Sequence, residues 1–311
     1  MSSSITPSKR YTDYASVLHH LFTERVQKIS INAGFTCPNR DGSKGVGGCT
    51  YCNNQSFSPE YCQSIKSVVQ QVTEGIEFFR HKYTTQQYLV YFQSYTNTYA
   101  DIDKLKDIYA EALAVSGVVG LVVGTRPDCV SDELLDYFEE LAKTKYVMVE
   151  YGVESTYDST LLLINRGHSF VEAQDAIKRT ADRGIYIGAH LILGLPNETR
   201  KMLLASADML NTLPIDSLKL HQLQLIKGTV MVEQYKEQPE LFNFFELEDY
   251  LELLVDFLER LNPAIVIERF VSQSPKELLI MPKWGLKNFE FTDKVEKRLR
   301  ERDTFQGKLF Q

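Results

Sequence analysis

The sequence predicts an α/β fold, an incomplete and open (β/α)6 barrel with extensions at both ends. Three observations carry that expectation. Short apolar runs rich in Val, Ile, Tyr and Leu recur after residue 28, as buried parallel strands do. Longer amphipathic stretches separate them, and in a parallel sheet these are the crossover helices. Six such units exceed one half of a doubly wound sheet and fall short of the eight that close a barrel.

In order, the strands are expected at 29–35, 88–93, 118–123, 146–153, 185–193 and 217–226, each four to ten residues long. Helices are expected between them at 65–83, 102–116, 131–143, 170–183 and 199–213. Asp101 is placed to cap the helix that begins at Ile102. Ser131 does the same ahead of Asp132 and Glu133, and Gly184 follows the helix over 170–183. Beyond the sixth unit, 244–261 reads as a helix, 265–270 as one more strand, and 287–302 as a charged helix with Lys and Arg in excess. The expected organisation is an N-terminal extension over 1–28, the partial barrel over 29–230, and a C-terminal extension over 231–311 that completes the barrel side and the substrate region.

Composition narrows the function. Of 311 residues, 43% are hydrophobic and 24% charged, which excludes wholesale disorder. A net charge of −7 leaves nucleic-acid binding only to a local patch. No run approaches the roughly 18 apolar residues of a membrane span, and the opening MSSSITPSKR lacks the apolar centre of a secretory signal. A soluble, cytoplasmic protein without membrane partners is expected.

Five cysteines stand out by their spread: Cys37, Cys49, Cys52 and Cys62 fall within 26 positions, and Cys129 stands apart. In a reducing compartment such a cluster holds a metal more readily than it forms disulfides. Cys37 and the pair Cys49-Thr-Tyr-Cys52 bracket a loop containing Gly42, Gly45, Gly47 and Gly48, placed directly after the first strand. Glycine lets such a loop bring its backbone close to a bulky inorganic group. Two readings compete. Four cysteines, with Cys62, make a closed tetrahedral zinc site and so a non-catalytic binding module with a partner site on the barrel rim. Three thiolates, Cys37, Cys49 and Cys52, hold three irons of a [4Fe–4S] cluster and leave the fourth iron open. The zinc reading expects paired Cys-x-x-Cys knuckles, and only one is present.

The three-cysteine loop after strand one, ending Cys-x-aromatic-Cys with Tyr51 as the aromatic, resembles the radical S-adenosylmethionine (SAM) superfamily. Eleven residues separate Cys37 from Cys49 where that superfamily usually has three, a stretched gap similar to its Elp3-like branch. The run Gly34-Phe-Thr-Cys-Pro-Asn-Arg-Asp-Gly, with Gly-Gly-Cys-Thr-Tyr-Cys-Asn, resembles the bacterial family typified by YhcC and YtqA. The resemblance implies a partial TIM-like barrel, a [4Fe–4S] cluster and SAM as cofactors, and an external flavodoxin- or ferredoxin-like electron donor. It also implies reductive SAM cleavage to a 5′-deoxyadenosyl radical that modifies a substrate. Elp3-like relatives act on tRNA, which makes tRNA modification one expected activity.

The resemblance extends to other strand ends. The superfamily often ends strand two in Gly-Gly-Glu, which takes the SAM amino group. Here the stretch is Phe92-Gln93-Ser94-Tyr95-Thr96-Asn97-Thr98, without that glycine pair or carboxylate, and Gln93 and Ser94 are the candidates. Strand four ends Glu150-Tyr-Gly-Val-Glu154-Ser155, similar to a Gly-x-Glu-Ser motif that contacts SAM, which implies that role for Glu154 and Ser155. Glu150 and Glu154, an even number apart, share one side of a regular strand. Arg166, in Asn165-Arg-Gly-His168, resembles the arginine that faces the SAM carboxylate, while His168 reads as a surface residue. Gly194-Leu-Pro-Asn-Glu198 resembles a turn that packs near adenine, and reads equally as a tight strand-to-helix turn. The Thr125-Arg126-Pro127-Asp128 turn after strand three is another rim candidate. Lys219 and His221 face one side of the last strand, as substrate contacts or as half of a buried Lys–carboxylate pair.

Overall fold

The computed structural model describes residues 9–53, 59–80 and 86–311. The start of the sequence and the expected helix end at Tyr83 lie outside them. The chain begins with α1 (Tyr14–Leu21), β1 (Val26–Ile31), α2 (Val68–Arg80), β2 (Gln87–Phe92), α3 (Ile102–Leu113) and β3 (Val118–Thr125). It continues through α4 (Asp132–Ala142), β4 (Tyr146–Glu154), α5 (Asp158–Leu163), α6 (Phe170–Thr180), β5 (Tyr186–Leu193), α7 (Arg200–Leu210) and β6 (Ser217–Gln222). After β7 (Leu225–Ile226) come α8 (Val230–Glu237), α9 (Leu247–Arg260), β8 (Val266–Arg269), β9 (Leu279–Met281) and α10 (Asn288–Glu301).

Among the described residues, β1 to β6 and β8 form one parallel sheet in that order. The six expected strands are present and the run over 265–270 supplies the seventh. Expected caps form where the sequence placed them: the Asp101 carboxylate accepts from the backbone of Asp103 and Lys104, and the Ser131 hydroxyl from Leu134. The sheet curls into a partial barrel. Lys28 on β1 reaches Glu268 on β8, at the far end of the strand order, at 2.9 Å.

Two boundaries differ from expectation. The first strand runs over Val26–Ile31, earlier than 29–35, because pairing with β2 begins at Val26↔Gln87. It stops at Asn32 because the Gln71 side chain brackets that residue, accepting from its N–H and donating to its carbonyl, both at 2.9 Å. The single strand expected over 217–226 divides, since β7 leaves the sheet to pair antiparallel with β9. Helices α1, α5 and α8 were not foreseen; each is short, six to eight residues, with little room for a periodic signal.

Strand alternation sorts side chains onto two cores. Tyr88, Val90 and Phe92 of β2 face the helices, where Tyr109 and Phe138 continue an aromatic chain at 5.1 and 5.4 Å between centroids. Each such contact adds about 0.5–1.5 kcal/mol beyond area burial and fixes α3 and α4 against the sheet. Leu89, Tyr91, Val122 and Met148 point the other way, into the lumen, and pack with Leu18. The α1 helix thus stoppers one mouth of the barrel. Just ahead of it, Asp13 bridges Ile267 and covers the edge of β8. The opposite mouth, at the strands' C-terminal ends, is left for the site.

Candidate functional site

Above the apolar stopper the lumen carries a charged floor. Glu150 accepts from Lys28 at 2.8 Å and from Lys219 at 2.6 Å, with His190 also 2.8 Å away. Glu268 closes the ring, 2.9 Å from both lysines. Glu150 is 1% exposed, and burial alone would raise its carboxyl; Lys219 and Lys28 instead hold it well below the usual range. Lys219 therefore resolves as part of a buried Lys–carboxylate group. Burial, then Lys219, lowers His190, so its ring is neutral at neutral pH.

A cavity of about 240 Å³ opens over this floor. Cys37, Cys49 and Cys52 line it together with Gln93, Glu154 and Arg166. The loop that carries the thiols is held from several sides. Asn39 donates to the Asn165 carbonyl and approaches Cys49 Sγ at 3.8 Å. Arg40 donates to the Cys52 carbonyl at 3.0 Å. Gly48 has φ +82°, and a β-carbon there would meet Arg40 Nε at 2.7 Å, so glycine is needed both for the turn and for the arginine's path. Two guanidinium groups therefore flank the thiols, Arg40 beside Cys52 and Arg166 with an N–H 3.6 Å from Cys49 Sγ. Burial raises the Cys52 thiol and neighbouring Cys49 adds to it. Cys62 is elsewhere, packed in the apolar core where burial pushes its thiol to about 11. Burial likewise raises Cys129 to about 12.

Around the mouth, strained backbone marks the strand ends. Tyr95, Glu154 and Asn165 have φ of 65°, 67° and 51°, a region unfavourable for residues other than glycine that concentrates at ligand sites. A shift in strand register at Gly152–Glu154 accompanies the turn at Glu154. Gly152 is required there: an added β-carbon would lie 2.5 Å from Arg166 and 2.6 Å from Glu154 Oε1. Arg166 donates to the Gly152 carbonyl at 2.6 Å and stands 3.7 Å from Glu154. Arg126, 2% exposed, also lines the cavity, locked to Asp128 by two N–H groups at 2.9 and 3.0 Å and donating to the Arg166 carbonyl.

Two sequence candidates lie off the lining. Ser94 is buried behind Gln93, and Ser155 donates its hydroxyl to Glu198. His168, read as a surface residue, is buried; burial and then Arg166 lower it to about 3, and its ring nitrogens meet the Ser169 and Gly152 carbonyls. The residues the sequence did not single out are Asn39, Arg40 and Arg269. Asn39 and Arg40 lie inside the quoted cysteine loop, where their spacing from Cys37 was the available signal, whereas Arg269 has no local pattern and only the fold brings it to the cavity.

Glu198 gives a pH prediction. Burial raises its carboxyl to about 7 from 4.5, with Ser155 and Thr160 offsetting only part. Folding thus favours the protonated acid: its contribution is complete below the unfolded value and is lost as pH rises through about 7. Glu198→Gln is expected to flatten the decline in Tm across that interval, and an unchanged slope would show that another group sets it.

The donor set suits an iron–sulfur cluster. Three thiols share one cavity wall, with cations to balance them. Among the described residues no three His, Cys, Asp or Glu groups converge closely enough to hold a single ion, whereas a four-iron cube takes its thiolates at separate corners. Thr96 Oγ1 and Arg166 Nε, buried polar atoms of two lining residues, have no protein partner.

Comparison with known proteins agrees. The radical SAM superfamily model matches residues 34–210, and the Radical_SAM C-terminal domain model matches 215–301. Uncharacterized protein YtqA of Bacillus subtilis (strain 168) is 35% identical over 303 residues, spanning 97% of this chain and 94% of its own length. The tRNA uridine(34) acetyltransferase of Methanocaldococcus infernus is 31% identical over 121 residues, 38% of this chain and 22% of that protein. The solved structure of archaeal Methanocaldococcus infernus Elp3 with an N-terminal deletion has TM-score 0.68 at 17% identity, covering 90% of this chain and 64% of that one; this is a likeness of fold.

Proposed function

The chain belongs to the radical SAM superfamily, and within it to the family of YtqA and YhcC; from that premise we propose that Cys37, Cys49 and Cys52 bind a [4Fe–4S] cluster and that the protein cleaves SAM reductively to modify a substrate. The observation that carries this reading is the placement of three thiols on one cavity wall beside Arg166 and Glu154, with Cys62 in the core. The same placement disfavours the four-cysteine zinc module. Cys37, Cys49 and Cys52 would hold the cluster, and when bound it would supply the electron for reductive cleavage of SAM and so for radical hydrogen abstraction from a substrate.

The chain's own residues position and shield. Arg166 is assigned the SAM carboxylate, which its fork of donors matches. Glu154 and Gln93 are assigned the amino group. Ser94 and Ser155 lie off the lining, so neither is assigned a direct contact with SAM. Arg40 and Arg166 place positive charge beside an anionic cluster, which favours the added electron. The electron comes from a flavodoxin- or ferredoxin-like donor, and thiolate ligands suit a reducing, cytoplasmic setting. Among the described residues no helix is long and apolar enough to cross a membrane. In domain terms, the SAM-cleaving unit expected over 29–230 begins at Val26 with β1 and takes its seventh strand, β8, from the C-terminal extension of 231–311, which contributes the substrate side.

For the substrate, tRNA is one class, supported by the match to a tRNA uridine(34) acetyltransferase. The C-terminal helix gives it little footing. Arg298 pairs with Glu248, Glu252 and Glu301, and Arg302 with Glu252, Asp256 and Glu259, so these two cations face α9 and its own helix instead of solvent phosphates. Lys297 and Arg300 remain exposed on that helix and are the cations it could still offer to nucleic acid.

Anaerobic reconstitution with iron and sulfide tests the function. Broad visible absorption that air bleaches, and release of 5′-deoxyadenosine under strong reductant, are expected. Stable, colourless zinc with no such product would overturn it. Glu154→Gln should weaken SAM binding to the iron-loaded protein roughly tenfold or more, the loss expected for one charge-assisted hydrogen bond. Equilibrium dialysis reads that change, with iron content unaltered; unchanged affinity would remove Glu154 from the pocket.

A further inference from the structure

Among the described residues the charges of the floor balance, and Arg269 beside them is left without a carboxylate. Lys28 and Lys219 share Glu150 and Glu268, two against two. Arg269, on the last strand of the sheet, lines the cavity above them. A shift in strand register carries Lys219 opposite Arg269, although its neighbour Leu218 pairs with Ile267. The consecutive residues Glu268 and Arg269 both reach groups of β6 by this bulge, Glu268 meeting Lys219 and Arg269 meeting His221. A regular strand would have sent them to opposite faces.

Among the described residues no carboxylate pairs with Arg269. Its partners are uncharged: the His221 ring at 2.9 Å and the Ser272 hydroxyl at 3.3 Å, while its Nε has no partner. Burial, then Arg269 itself, keeps His221 well below its ordinary pKa, so the ring orients the guanidinium without cancelling its charge. The support is rigid. Gln222 clasps the Ser272 backbone from both sides, at 2.7 and 3.0 Å, and the Ser274 hydroxyl donates to Gln224 at 2.7 Å. A partly desolvated cation that lines a cavity with uncharged, fixed neighbours is costly unless an anion completes it.

We propose that Arg269, aimed by His221 and Ser272, is the anchor for an oxyanion of the substrate, a carboxylate or a phosphate ester. The assignment rests on the cavity being the chamber of a SAM-cleaving enzyme.

Calorimetric titration tests it, using anaerobically purified, iron-loaded protein at constant ionic strength with two probes, inorganic phosphate and acetate. One of them is expected to bind one per chain. Phosphate assigns a phosphate ester, and acetate assigns a carboxylate. Arg269→Gln should weaken that binding tenfold or more, Arg269→Lys less, and Lys297→Gln not at all. Ser272→Ala, which leaves the charge but loosens its aim, should cost a few-fold and serves if Arg269→Gln does not fold. Absence of binding by either probe, full binding by Arg269→Gln, or displacement of the anion by excess SAM would each overturn the anchor. Iron content and SAM binding of the same wild-type preparation separate the two levels. Iron and SAM held without anion binding sink only the anchor, whereas failure to take up iron sinks the function beneath it.

Discussion

Cys49→Ser and Cys52→Ser proteins, reconstituted anaerobically, are expected to hold essentially no four-iron cluster and to release no 5′-deoxyadenosine, while Cys62→Ser and Cys129→Ser retain both. The contrast follows from placement. Serine is a harder, far less acidic ligand than a thiolate, so it forfeits a corner of the cube at the cavity wall. In the core position of Cys62 and at the site of Cys129 the same exchange changes only packing and a buried thiol. Iron and sulfide analysis of the four variants checks the prediction. Iron loss in Cys62→Ser as complete as in Cys52→Ser would make Cys62 a ligand and return the zinc-type arrangement to consideration.

Glu150→Gln is expected to lower the unfolding free energy by about 3–5 kcal/mol, the usual cost of removing one partner from a buried ionic group. Without this carboxylate, Lys28 and Lys219 compete for Glu268 alone in the lumen. The pH dependence carries a sign. The Glu150 carboxyl is held below its unfolded value, so its contribution is present above the unfolded pKa and is lost as pH falls through the depressed one. Acidification should therefore destabilise the wild type more steeply than Glu150→Gln. Denaturant midpoints at neutral and acid pH measure both effects. An unchanged midpoint would mean that apolar packing around Leu89, Val122 and Met148 holds the barrel floor without help from the charges.

Much of the fold was legible in the chain because buried parallel strands leave an unmistakable local trace. Val118–Thr125 and Tyr146–Glu154 are buried on both faces and rich in valine, and the capped stretches around them start where Asp101 and Ser131 say they should. The first strand was placed three residues late because Gln27 and Lys28 read as polar. Lys28 belongs in the lumen only because Glu150 and Glu268 are there to meet it. His168 was misjudged for a related reason: its two ring nitrogens find backbone carbonyls that no sequence window contains.

The sequence alone singled out the three cysteines and their glycine-rich loop, since Cys37 to Cys52 form one short consecutive stretch whose chemistry is local. Tertiary structure decided which charges cancel. Glu150 and Glu154 look alike in sequence, yet one is locked beneath two lysines and the other faces the cavity beside Arg166. Arg269 is left uncompensated by a bulge that reverses the expected side-chain direction. Electrostatic balance is a sum over strands far apart in the chain, and only the curled sheet brings its terms within reach of one another.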